Sequence, residues 1–269
     1  MPETQLIRIG IAGAMGRMGR VLAGIVESRT DMRLAALVDR PETVGQELGG
    51  HVLVSPEEAA SLVEVIIDFS TGAAAAALAK LAAERGAPAV VIGATGLSST
   101  DETWVREAAA RVPIVKSGNY SLGVNLLVGL VRQAARALPG SDYDIEVFEA
   151  HHRRKVDAPS GTALMLGQAA ARGRDVNLDD VSERGRDGII GARAEGAIGF
   201  SVMRGGGIVG EHQVVFAADD EIITLGHSAR DRSLFARGAV EAARWVAGRP
   251  AGLYDMMDVL GMTERPLEA

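Results

Sequence analysis

Between positions 149 and 163 the chain reads EAHHRRKVDAPSGTA, which sets His151, His152, Arg153, Arg154 and Lys155 side by side. A run of cations is first of all a solvated face or a nucleic-acid patch. The whole chain argues against the patch: 28 Lys plus Arg face 35 Asp plus Glu, a net charge of -7, whereas polyanion-binding domains carry a basic balance. Arginine is the default cation, with 25 Arg against Lys80, Lys116 and Lys155 alone. Keeping a lysine at 155 points to chemistry that a permanently charged guanidinium does not perform, since an ammonium can release its proton. Two of the five histidines stand beside it. Histidine has an unperturbed pKa of about 6.5, so His151, His152 and Lys155 together read as equipment for proton transfer to an anionic substrate.

A second candidate lies near the start. IGIAGAMGRMGR places Gly13, Gly16 and Gly19 where a strand ends and a helix opens, and Asp39 follows Gly19 by about 20 residues, the context of a dinucleotide fingerprint. A helix start offers unpaired N–H groups and partial positive charge to a pyrophosphate, and glycines let the backbone come close. Met15 stands where the second glycine of G-x-G-x-x-G is expected, so a glycine turn needed only for helix packing is the alternative. Asp39 suits a ribose 2'-hydroxyl and Arg40 a 2'-phosphate, which leaves NADH and NADPH both open.

The elements that must hold these residues follow from periodicity. At 269 residues and 47% hydrophobic, the chain can bury one large core or two modest ones. LIRIGIAG, RMGRVLAGIVESR and LAALVD alternate short apolar runs with helix-periodic stretches, a βαβ rhythm that implies a parallel sheet. VEVIIDFS and APAVVIGATG read as buried strands separated by the helix-forming TGAAAAALAKLAAERG, and VPIVKSGNYSLGVN as a strand leaving the sheet. Beyond it come a helix at 122 to 138, the strand DYDIEVFEA, the basic loop, a helix from Ser160 and several β-rich segments, which suggests a mixed or antiparallel sheet. The tail from Asp231 returns to helix. The expected fold is α/β: a Rossmann-type parallel-sheet domain at 1–121 and 231–269, and an α+β domain with a mixed sheet at 122–230. Zero Cys excludes disulfides and thiolate chemistry, and no apolar run or leader calls for a membrane, so a cytoplasmic protein is expected.

The segments GAMGRMG, VIGATG, GNYSLGVN and above all EAHHRRKVDAPSGTA resemble the 4-hydroxy-tetrahydrodipicolinate reductase family, also called dihydrodipicolinate reductase. GAIGF, IVGEH and LYDMMDVL keep the family order, so the likeness spans nearly the whole chain. It implies NADH- or NADPH-dependent reduction of 4-hydroxy-tetrahydrodipicolinate, a small cyclic dicarboxylate, to tetrahydrodipicolinate in lysine and diaminopimelate biosynthesis. It further implies a substrate domain that builds a homotetramer through its sheet. By match, His151 and Lys155 are the catalytic positions, and His152, Gly161 and Thr162 hold substrate, with Ser160 added to the substrate set as the cap that precedes them. The cofactor positions are Gly13, Ala14, Met15, Gly16, Arg17, Met18, Asp39, Arg40, Gly93, Ala94, Thr95, Ser117, Gly118, Asn119 and Tyr120. Two loops depart from the family pattern, Gly-Ala-Thr for Gly-Thr-Thr at 93–95 and Ser-Gly-Asn-Tyr for Ala-Ala-Asn-Phe at 117–120. The residues themselves fit a dicarboxylate: in PSGTA, Ser160 can cap a helix whose start presents N–H groups to one carboxylate, and His152 and Lys155 serve the other polar atoms.

Other readings remain on the residues alone. The glycine loop permits a homoserine or sugar dehydrogenase, or a dinucleotide sensor, against which the basic motif speaks. No metal is expected, because adjacent histidines on an extended chain point apart and no acidic ligand set accompanies them. Arg230 is read as a surface ion-pair residue.

Overall fold

The computed structural model describes residues 6–263; the outer ends of the first expected domain, 1–5 and 264–269, lie outside the described residues. Two compact units divide the chain: one formed by residues 1–122 and 233–269, the other by 123–232.

The first unit alternates strand and helix through β1 (Ile7–Ala12), α1 (Arg17–Glu27), β2 (Met32–Val38), the short β3 (Glu47–Leu48) and β4 (His51–Val52), and α2 (Pro56–Leu62). It continues with β5 (Val65–Asp68), α3 (Gly72–Arg85), β6 (Ala89–Ile92), α4 (Ser99–Ala109) and β7 (Pro113–Lys116). The alternation of residues on each strand serves both faces of the sheet. Ile9, Ile11, Val65 and Ile67 enter one apolar cluster, while Ile66, Val90, Ile92 and Ile114 enter the other. Strands buried on both faces are continuous apolar runs, which is why VIID and AVVI carry no polar alternation. The alanine run of α3 is a helix because Thr71 caps it by accepting from the Ala74 N–H, and Gly86 ends it at φ 72°.

The second unit opens with α5 (Leu122–Ala137), then β8 (Asp144–His151), α6 (Gly161–Gly173), α7 (Leu178–Val181), β9 (Ser182–Glu183), β10 (Ile198–Arg204), β11 (Glu211–Ala217) and β12 (Ile222–Ser228). Its five strands run in the order β12-β11-β8-β10-β9, with β8 parallel to β10 and antiparallel to β11. The sheet is mixed. Leu127, Ile145, Leu166, Phe200, Val214 and Phe216 form its core.

The chain then returns to the first unit with α8 (Ser233–Val246), β13 (Gly252–Tyr254) and α9 (Met256–Val259). β13 completes a six-stranded, fully parallel sheet in the order β13-β7-β6-β5-β1-β2. Ala239, Val240, Ala243 and Val246 of α8 are buried in the same cluster as Ile9 and Ile11. Gly238 is a packing requirement there, since any Cβ would collide with the Tyr120 carbonyl oxygen.

Candidate active site

In the first unit, β2 lies on one side of β1 and β5 on the other, so the chain changes direction at the carboxyl end of β1. Ligands of open parallel sheets bind at such a crevice. Gly13 leaves β1 at φ +78°, and a Cβ on it would press at 3.0 Å on the backbone of Phe69 and Ser70, where β5 ends. Gly16 caps α1 without any side-chain hydrogen bond, which leaves the first-turn N–H groups at Arg17 and Met18 without intrahelical partners. A Cβ at Gly19 would collide with the Gly13 carbonyl. The three glycines thus serve conformation, an open helix start and close packing.

Asp39 follows the end of β2 and ties the loop down: its Oδ2 accepts from the Met15 N–H at 2.8 Å and its Oδ1 from the Arg40 N–H at 2.9 Å. Met15 therefore stands in for the second glycine with its backbone engaged and its side chain half-buried. Ala14 is buried. The Arg40 guanidinium is exposed and lies 3.6 Å from Asp39 and 3.5 Å from Glu42, pairs too weak in water to hold it. Beside these residues opens a cleft of about 550 Å³, lined among others by Gly13, Asp39, Arg40, Asp68 and Ser70.

The 93–95 and 117–120 loops follow β6 and β7. Gly93 is held by packing, because a Cβ would enter the Phe69 ring; Ala94 is buried and Thr95 exposed. Ser117 accepts from the Asn119 N–H and donates to the Asn119 carbonyl, closing the turn around exposed Gly118. The Tyr120 side chain is turned into the core of the unit. Its ring packs 5.7 Å from that of Phe69, its hydroxyl donates to the Ile92 and Val115 carbonyls, and burial drives the phenol far above its usual pKa. Only the backbone at 120 remains for a ligand.

Asp68, at the end of β5, has no role in the sequence-based expectation. Its Oδ1 accepts from the Ser70 N–H and hydroxyl at 2.7 and 2.5 Å, and its buried Oδ2 has no partner among the described residues. Burial raises the carboxyl against the pull of Ser70. An orphaned polar atom, an uncapped helix start and a glycine-shaped crevice fit a dinucleotide.

In the second unit the sheet register assembles the other cluster. His212 on β11 faces Glu149 on β8, Arg204 on β10 pairs with His151, and Glu149 and His151, two residues apart, share a face. Glu149 is 1% exposed and saturated: its Oε2 accepts from Arg204 and meets His151 Nδ1 at 2.7 Å, and its Oε1 accepts from Arg204 at 2.7 Å and from the Ser160 N–H at 2.9 Å. Burial pushes this carboxyl up, yet the bonds from Arg204, His151 and Ser160 together hold it below the usual range. It is ionised.

Ser160 caps α6, its hydroxyl accepting from the Ala163 N–H and lying 3.2 Å from His212 Nε2. His212 packs edge-on to His151 at 5.1 Å, and burial lowers its pKa to about 4, so it is neutral near pH 7. Gly161 is exposed and its Cβ position is open space, so packing does not require glycine there; Thr162 is half-buried in the first turn. Lys155 Nζ lies 2.9 Å from Asp157 Oδ2, an interaction that draws the Asp157 carboxyl below its usual range. His152 Nε2 accepts from Arg232 at 3.3 Å. Arg153 and Arg154 are exposed.

His151, Lys155 and Ser160 are therefore held in one unit with Glu149, Arg204 and His212, which the sequence reading does not single out. Glu149 carries a local signal, the two-residue spacing from His151 on a strand. Arg204 and His212 carry none, since only register brings them there. Among the described residues no group of three or more His, Cys, Asp or Glu could hold a metal ion.

Comparison with known proteins places the whole chain. Residues 7–120 match the family model for the N-terminus of dihydrodipicolinate reductase, and residues 123–260 match that for its C-terminus. The 4-hydroxy-tetrahydrodipicolinate reductase of Caulobacter vibrioides is 59% identical over 96% of this chain and 98% of its own, and that of Sinorhizobium medicae 50% identical over 97% and 100%. A solved dihydrodipicolinate reductase from Paenisporosarcina, with dipicolinate bound, shares the fold at a TM-score of 0.77 and 23% identity, covering 94% of this chain and 99% of that one. The chain belongs to the dihydrodipicolinate reductase family.

Proposed function

We propose that His151 delivers the proton, and Lys155 assists it, in the reaction that family membership assigns to this oxidoreductase: reduction of 4-hydroxy-tetrahydrodipicolinate with NADH or NADPH in lysine and diaminopimelate biosynthesis. The reaction balances when one hydride and one proton enter and tetrahydrodipicolinate and water leave. A bound dihydronicotinamide supplies the hydride. The rest falls to the chain. The N–H groups at Arg17 and Met18 and the turn at Gly13–Gly16 hold the pyrophosphate, and Asp39 the adenosine ribose. Arg40 holds a 2'-phosphate when NADPH binds. Main-chain atoms at 93–95 and 117–120 line the remainder.

The observation that carries the reading is the His151–Glu149 pair beside the capped start of α6. The α6 N-terminus takes one substrate carboxylate through Gly161 and Thr162, with Ser160 shaping the turn. Lys155 and His152 take the other polar atoms, Lys155 with the donors that its contact with Asp157 leaves. Cytoplasmic location and a homotetramer go with this reading; exposed Val202 and Ile222 on the five-stranded sheet support association through it. Spectrophotometric oxidation of NADH and NADPH with freshly generated 4-hydroxy-tetrahydrodipicolinate is the test. Turnover that depends on His151 is expected, and full activity in His151→Gln would overturn the proton-transfer assignment.

A further inference from the structure

We infer that Glu149 is a positioning residue that fixes His151 with its proton on Nδ1, so that Nε2, facing the space left by the missing side chain of Gly210, is the atom that transfers the proton. The inference rests on the functional reading above for the reaction, and on geometry for the atom. Glu149 is an acceptor only, and its Oε2 stands 2.7 Å from His151 Nδ1, so Nδ1 must bear hydrogen in either charge state of the ring. Nε2 alone is left to gain and lose a proton.

What lies in front of Nε2 is the second observation. A Cβ at Gly210 would stand 3.2 Å from His151 Nε2 and 3.6 Å from His212 Cε1. Gly210 is buried and is not among the glycines with positive φ, so the backbone does not call for glycine; a side chain there would crowd Nε2. The same carboxylate also receives the Ser160 N–H, which starts the helix assigned to a substrate carboxylate. One buried side chain thereby fixes both the acid and the clamp. Around His151 the titratable and charged groups are Glu149 on its own strand, Arg204 on β10, His212 on β11 with His227 paired to it on β12, and Lys155 and Asp157 in the loop. Among the described residues Glu149 is the hydrogen-bond partner of the His151 ring, and Arg204 holds that carboxylate in place through both of its oxygens.

The test has two arms. In long-range 1H–15N spectra of the 15N-labelled wild-type protein, with the His151 signals assigned by their loss in His151→Gln, neutral His151 should be the Nδ1–H tautomer. The Nε2–H tautomer would overturn the inference whatever the substrate. In steady-state kinetics, Glu149→Gln should lower kcat about tenfold to a hundredfold with a smaller change in KM, because a misplaced acid is felt chiefly in the transition state. An unchanged kcat, or a loss confined to KM, would overturn the role of Glu149. Should Glu149→Gln not fold, Gly210→Ala decides: kcat should fall about tenfold while NADH binding, read by fluorescence, is unchanged, and full kcat would overturn Nε2 as the transferring atom. Absent turnover in wild type would instead count against the functional reading, leaving the tautomer result intact.

Discussion

The crevice of the first unit is built from backbone and the cluster of the second from side chains. Around Gly13 and Gly16 most of the contacts offered are N–H groups, set by a left-handed turn and an uncapped helix start, with Asp39 tethering the loop and Arg40 exposed beside it. Around His151 every contact is a named functional group with a fixed hydrogen-bond partner. The first design tolerates a change of side chain as long as the turn survives, which explains how Met15 replaces a glycine and how Ala94 replaces a threonine. The second tolerates little, because one lost group strands another in a buried place.

The hardest strike at the side-chain design is His151→Gln, expected to reduce kcat by about 10² to 10⁴ with cofactor binding intact. A loss confined to KM in initial-rate measurements would make His151 a binding group instead. Acid should separate the two regions next. His212 titrates at about 4 in the fold against about 6.5 unfolded, so it contributes stability present above pH 6.5 and lost as pH falls to 4, up to about 3 kcal/mol. Asp68, whose carboxyl is raised, acts with the opposite sign: its contribution is lost as pH rises through its folded value. Urea unfolding of wild type and His212→Gln between pH 7 and 4 should show a shallower acid slope in the variant; equal slopes would remove His212 from the account.

Lys155→Arg keeps the charge and removes the releasable proton and compact shape, so kcat should fall by about 10² with the fold unchanged. Near-wild-type turnover would reduce HHRRK to an electrostatic clamp. The smallest changes belong to the backbone design. Gly13→Ala forces a Cβ into a left-handed turn and should weaken NADH binding about tenfold. Arg40→Ala should spare NADH and weaken NADPH several-fold, and equal losses in titrations of the two cofactors would deny Arg40 the 2'-phosphate.

Much of the fold was legible because its signals are local. The strand-helix alternation, the alanine-rich α3 and the change of rhythm beyond residue 122 all arise from patterns a few residues long, and the parallel and mixed sheets follow from them. The basic loop is equally visible as a run of letters. Its surroundings are not: His212 and Arg204 reach Glu149 from strands about 60 residues away in sequence, through a register set by the hydrophobic faces of three strands. The partners of Tyr120 are hidden for a related reason: the carbonyls that accept its hydroxyl belong to β6 and β7, and only the parallel sheet brings them together.

The contact of Gly238 with the Tyr120 carbonyl bears on the order in which the protein is made. During synthesis β7 and the turn at Tyr120 leave the ribosome long before α8 and β13, which complete their packing. Until then β7, paired with β6 alone, is an open edge and one face of the parallel sheet lacks a helix that buries it. The unit at 123–232, continuous in sequence, has no such wait, whereas the first unit closes only when segments about 110 residues apart in sequence meet, a contact of high loop-closure cost.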